Sequence, residues 1–354
     1  MNKYVKRYCI DAMSGMAQGL FSSLLIGTII KTLGQQLLRL GENPVFSFLV
    51  EAGNFASEVH VVGAAMAVGI GYVMGASSLV LFTLAAVGAA ANSTGGAGGP
   101  LAVLVISILS CECGSLVSKK TKVDIIVTPL VTILAGVLFT VLLARHIGAA
   151  ASAFGSLIVW ATTLRPFLMG ILISVIVGIL LTLPVSSAAI CAALGLTGLA
   201  GGAAVAGCCA QMVGFAVMSF RENRWSGLLS QGLGTSMLQM PNIIKNPRIW
   251  IPPVAVSAIT GPVSTCIFKM QMNGAAVSSG MGTCGLVGQI GVITGWFEPS
   301  SVAVSHGALA VSPSLSDWTG LVLVCFVLPG ILSWIFCTGL RKLGWIKEGD
   351  LVLQ

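Results

Sequence analysis

Residues 166–220, between Arg165 and Arg221, are 55 consecutive positions without an Asp, Glu, Lys, Arg or His. A bilayer core takes roughly 20 apolar residues per helix, so this run is long enough for two passes and a third, shorter piece. Charge-free runs at 61–111, 125–144 and 318–340 repeat the pattern. Two more, 249–268 and 270–297, are uncharged but rich in Gly and Pro. The apolar stretch at 13–30 follows a basic start, yet it is long for a signal peptide, is interrupted by Ser14, Gly15, Gln18, Gly19 and Gly27, and precedes no clean small-x-small cleavage site. It reads as a first membrane helix that stays. The pattern predicts an all-α, polytopic integral membrane protein, a single transmembrane domain over 1–354 with about eight to ten transmembrane helices. Membrane spans are placed at 13–30, 61–74, 101–115, 125–144, 166–183, 203–220 and 321–340, with 79–90 apolar but short.

Breaks within the apolar runs change this picture. Residues 92–100, Asn-Ser-Thr-Gly-Gly-Ala-Gly-Gly-Pro, cannot continue a helix and predict a broken helix or a re-entrant turn. Leu183-Pro184-Val185-Ser186-Ser187 precedes Gly195, Gly198, Gly201, Gly202 and Gly207 in the longest run. Backbone groups freed in lipid must find partners in protein or in a water-filled cavity, which suggests a path for something polar. The two broken segments, 92–100 and 184–202, are candidates for matching parts of two halves, as in inverted-repeat transporters. Residues 150–163, with Trp160, are expected as an interfacial helix. The Gly-rich stretch 273–295 fits close helix packing and re-entrant backbone equally well.

Composition agrees: charged residues are 8% of the chain and mean hydropathy is +0.98. The net charge of +7 is distributed in small groups at span ends: Lys3, Lys6 and Arg7; Lys119, Lys120 and Lys122; Arg221 and Arg224; Lys245 and Arg248; Arg341, Lys342 and Lys347. That is the positive-inside pattern of short cytoplasmic loops, a topological reading preferred over a functional anion or lipid patch, and it argues against a nucleic-acid partner; membrane lipid is expected around the spans. The ten cysteines include no CxxC and no Cys/His spacing suited to zinc; most lie in apolar runs, where Cys acts as a small hydrophobe. No nucleotide-binding or catalytic motif is present, so neither an enzyme nor a cofactor is expected.

Ionisable residues near membrane depth are functional candidates. Glu58 and His60 precede a long uncharged run. Two apart, they share no helix face, but they point the same way in an extended segment. Asp124 opens a span, where a carboxylate is favoured by the helix dipole. Among amides and hydroxyls, Asn92 lies in the first broken segment and Gln211 in mid-span. Gln231, Thr235, Ser236, Gln239 and Asn242 form a Gly- and Pro-flanked polar stretch suited to sugar hydroxyls. Gln289 joins from the later Gly-rich segment, and for Gln211 and Gln289 bonding between helices is an equal explanation.

The stretch 232–253, Gly-Leu-Gly-Thr-Ser-Met-Leu-Gln-Met-Pro-Asn-Ile-Ile-Lys-Asn-Pro-Arg-Ile-Trp-Ile-Pro-Pro, closely resembles a hallmark of a phosphotransferase-system IIC-like membrane family. That family includes proteins labelled as regulators of perfringolysin O. Residues 124–129, 166–172, 183–189, 210–216 and 280–289 resemble it too, so the likeness covers most of the chain. The resemblance implies a dimeric sugar-permease fold in a bacterial plasma membrane, with re-entrant hairpins around a solute site and separate IIA and IIB chains for any phosphorylation. In better-known IIC permeases a membrane His and the Glu of a Gly-Ile-Thr-Glu motif serve the sugar. Here Gly291-Val-Ile-Thr294 is followed by Gly295, and the nearest acid is Glu298. His60 and Glu298 are therefore candidates only. The expected function is a permease subunit moving a small polar solute, a sugar first, by alternating access. A membrane sensor without transport and an ion-coupled porter using Glu58, His60 and Asp124 stand as alternatives.

Overall fold

The computed structural model describes residues 4, 6–39 and 41–353; Lys3 lies outside the described residues. It is helical throughout, with no strand among the described residues and one isolated antiparallel bridge, Gly198 to Met272. Two compact units divide the chain, residues 1–152 and 153–354.

In the first unit, α1 (Lys6–Leu38) runs antiparallel to α2 (Pro44–Ala56) and α3 (Val59–Val73). Gly15 of α1 and Gly69 of α3 face each other so closely that a Cβ on either would strike the other's carbonyl oxygen. Contacts of this kind replace the hydrophobic effect, which does not drive helices together in lipid. Helices α2 and α3 bend by 55° at Ser57-Glu58. Asn43 caps α2 with Pro at its first turn, and Glu58 caps α3, so the break is specified by local sequence at both sides.

The stretch Ser78–Val117 is a hairpin. Helices α4 (Ser78–Gly95) and α5 (Gly99–Val117) turn at Gly96, whose φ of +52° suits glycine alone. At the open end, Ser77 Oγ and Ser118 Oγ hydrogen-bond at 2.7 Å. The break expected at 92–100 is thus a tight turn. Each limb, 18 and 19 residues, is about 27–28 Å long, close to one hydrocarbon thickness.

Helix α6 (Asp124–Thr162) is α-helical to Phe139, π-helical over Thr140–Ala144 and α-helical again over Arg145–Thr162, so the helix expected at 150–163 begins earlier, at Arg145. Residues 148–153, Gly-Ala-Ala-Ala-Ser-Ala, contain no proline, and their alanines are strong helix formers, so the chain stays helical from Arg145 on. Ile125, Ile126, Leu130, Leu134, Leu138 and Val141 are exposed along it, the composition of a lipid-facing stripe.

The second unit is built around α9 (Gly198–Met218), which is buried at every position from 201 to 212. Its Gly, Ala and Cys side chains let α7 (Pro166–Thr182) and α10 (Pro247–Ile267) approach closely. A Cβ on Gly207 would meet the Ser174 carbonyl, and Ser174 Oγ donates to the Ser257 carbonyl at 2.7 Å. Between α7 and α9 lie the 183–186 turn, the short helix α8 (Ser187–Ala193) and the left-handed Gly195, and α9 itself opens on a second left-handed glycine, Gly198. After α10 the chain runs extended from 270 to 275, makes tight turns over 276–286, and enters α11 (Val287–Phe297). Helix α12 (Leu315–Lys342) ends the bundle. The two irregular segments are stitched together: Ser187 Oγ donates to Gly280 O at 2.7 Å, and Ser279 Oγ to Leu196 O at 2.6 Å. Irregular backbone at membrane depth is thereby satisfied within protein.

Six helical stretches are long and apolar enough to cross a membrane, or seven with the bent pair as one span. Counting both hairpin limbs and the 17-residue α7 brings the total to nine among the described residues, within the expected range.

Candidate solute site

The sequence candidates separate into distinct environments. In the first unit, Glu58 and His60 do pair, at 2.7 Å, but on a helix cap rather than an extended strand. Glu58 Oε2 accepts from the N–H groups of His60 and Val61, and its Oε1 turns back to His60 Nδ1. Both side chains are open, 42% and 59% exposed. Asn92 is buried and donates to the Val59 carbonyl at 2.7 Å, tying α4 to the start of α3.

In the second unit, Gln211 is fully buried and joins three helices. Its Oε1 accepts from Trp250 Nε1 at 2.9 Å and from Thr182 Oγ1 at 3.2 Å, and its Nε2 donates to Ser257 Oγ at 3.4 Å. Ser236 extends this cluster through Thr182 at 2.8 Å. Thr235 caps the next turn by accepting from Met237 N–H. Gln289 Nε2 contacts Cys209 Sγ, while its buried Oε1 has no partner. Glu298 is exposed and makes no ion pair among the described residues.

Gln231, Gln239 and Asn242 form a chain of amides. Gln239 Nε2 donates to Gln231 Oε1 at 2.9 Å and Asn242 Nδ2 to Gln239 Oε1 at 2.8 Å. The same two amides donate to the carbonyls of Leu351 and Val352, so the polar stretch holds the C-terminal segment. Asn223 and Asn246 clamp that segment from either side.

A cavity of about 140 Å³ with mixed polar and apolar walls lies instead at the segment after α10. Lys269, Gln271 and Asn273 line it with Trp296 and Asp317, closed by apolar Leu309 and Val311. Past Lys269, whose φ is +48°, the segment is extended: Gln271 is exposed, while Met270, Met272 and Asn273 are buried. The buried side is paired, Met270 N–H to Ser264 O at 2.9 Å and Met272 N–H to Gly198 O at 3.0 Å. The N–H groups of Gln271 and Asn273 make no hydrogen bond among the described residues. Asn273 Nδ2 orients Gln271 by donating to its Oε1 at 3.0 Å. Trp296 is held edge-on by Trp318, with centroids 4.9 Å apart. Asp317 spends one oxygen capping α12 through Ser314, leaving the other open.

Free amide donors, an acceptor, a cation, an anion and an indole around one small cavity suit an uncharged, hydroxylated molecule. Sequence reading missed these residues because Lys269 served only as a boundary between uncharged runs. The alternation Lys-Met-Gln-Met-Asn at 269–273 was the available signal.

The fold and this site define a polytopic, all-α membrane protein with a solute-sized cavity beside broken helices. The family model described as "Phosphotransferase system, EIIC" matches residues 10–353, and the chain belongs to that family. It is a membrane component of a phosphotransferase system. No curated protein and no solved structure matches the chain.

Proposed function

We propose that this protein is a IIC-type permease subunit that binds a small hydroxylated solute, a sugar first, at the cavity formed by Lys269, Gln271, Asn273, Trp296 and Asp317, and moves it by alternating access across a plasma membrane. The supporting observation is the segment 269–273, whose Gln271 and Asn273 line a pocket with an indole wall and carry main-chain N–H groups without a partner among the described residues. Separate IIA and IIB chains would phosphorylate the solute, and a homodimer would be the working unit. Uptake of a sugar panel into proteoliposomes, with and without added phosphoryl-donor proteins, tests the reading. Gln271→Ala and Asn273→Ala should each lower uptake of the active sugar at least tenfold at unchanged expression. Wild-type uptake in both variants moves the site elsewhere.

One observation favours a sensor that binds without transport. Where the resembling permeases carry the Glu of Gly-Ile-Thr-Glu, this chain has Gly295, and a Cβ there would stand 2.6 Å from Gly274 N and 2.7 Å from Asn273 C. An acid at 295 is excluded by packing, so the chemistry that serves the sugar in those permeases is missing at this position. Saturable binding with no uptake under any donor condition identifies the sensor.

A further inference from the structure

A second cavity, of about 300 Å³, opens where α9 ends, beside residues 220–228 and the last turns of α12. Its apolar wall includes Val217, Leu228, Trp225 and Trp334, and Arg221 and Arg341 line it as well, with no carboxylate among the lining residues. Arg341 is held in place: Nη2 donates to Glu222 Oε1 at 2.6 Å and Nε to Cys337 Sγ, while Nη1 is buried with no partner. Arg221 is exposed and makes no ion pair among the described residues. Trp225 is 68% exposed and braced edge-on by Phe220.

We propose that this cavity is a binding site for one anionic phospholipid. The exposed Arg221 guanidinium provides planar donors matched to phosphate oxygens, and the anchored Arg341 adds positive charge beside it. The apolar wall continues from them and takes the glycerol and first methylenes of an acyl chain. Tryptophans beside arginines at a span end are the residues that settle at the lipid headgroup level, and basic pockets between membrane helices hold anionic headgroups. Glu222 neutralises part of Arg341, so Arg221 supplies the uncompensated charge. The site is independent of the solute cavity and of any transport.

The test uses the purified full chain in a zwitterionic detergent, titrated with phosphatidylglycerol or phosphatidylcholine and read by the thermal unfolding midpoint and by native mass spectrometry. Phosphatidylglycerol should bind with 1:1 stoichiometry at this site and raise the midpoint; phosphatidylcholine should not. Arg221→Gln, a surface change that leaves the Arg341–Glu222 pair intact, should weaken phosphatidylglycerol binding at least fivefold, and Trp225→Ala should weaken it also. Equal binding of the two lipids overturns the proposal, as does wild-type phosphatidylglycerol binding by Arg221→Gln. Inorganic phosphate alone reproducing the full stabilisation would show a free-anion site and overturn the lipid assignment.

Discussion

At the residue scale, the buried amides divide into those with both ends engaged and those with one end left open. Gln211 belongs to the first kind: Trp250, Thr182 and Ser257 use both ends of its amide. Removing the acceptor strands the Trp250 N–H, at a cost of about 1–2 kcal/mol, reduced in lipid because the unfolded helix also finds partners. Gln211→Leu should therefore lower the unfolding midpoint in detergent while Gln211→Glu, which keeps an acceptor toward Trp250, loses less. Solute affinity per folded molecule should stay as in wild type for Gln211→Leu. A loss of affinity with no loss of stability would place Gln211 in the solute path. Gln289 is the second kind, with a buried oxygen unpartnered beside α9.

At the element scale, the C-terminal segment is the part whose role sequence pattern concealed. Leu351 and Ile346 are buried, and the carbonyls of 351 and 352 accept from Gln239 and Asn242. The loop 231–246 and the segment 345–353 form one hydrogen-bonded unit, each supplying partners that the other lacks. Truncation after Lys347 should expose the loop, seen as new limited-proteolysis cuts between 230 and 246, and Gln239→Ala should give a weaker form of the same pattern. If Gln239 instead contacts solute, its replacement abolishes uptake and leaves the proteolysis pattern of the wild type. The expectation that these amides meet a sugar directly remains a proposal, now ranked behind the cavity at 269–273.

At the scale of the whole molecule, the α4–α5 hairpin makes a topological statement. Ser77 and Ser118 meet at one end and Gly96 turns at the other, with limbs about as long as a hydrocarbon core. Lys119, Lys120 and Lys122 follow Ser118 directly, which puts that end in the cytoplasm by the positive-inside pattern. Single cysteines introduced at Ala97 and Ser118 in a cysteine-free background should behave oppositely in intact cells. An impermeant maleimide should label position 97 and spare 118. Labelling of both, or of 118 alone, would make the hairpin re-entrant or reverse the orientation.

Much of the fold was legible because its causes are local. Apolar runs, small residues for close helix approach and basic span ends follow from the solvent, which rewards apolar surface and forbids unpaired backbone whatever the neighbours are. The break at 92–100 was readable from its glycines and proline, whereas Glu58, expected in an extended segment with His60, caps a helix instead. Whether 144–150 interrupts a helix was not, since an alanine-rich stretch is helical with or without an interface. Tertiary structure alone decided which polar groups are spent. Gln231, Gln239 and Asn242 resemble a binding loop in sequence, yet Gln231 donates to Ser219 and Gly227, and carbonyls more than a hundred residues away take hydrogens of Gln239 and Asn242. Gln271 and Asn273 keep free N–H groups because only one edge of their segment finds a partner, at Gly198. Composition sets how many donors and acceptors a chain carries; long-range packing determines which of them are left for a ligand.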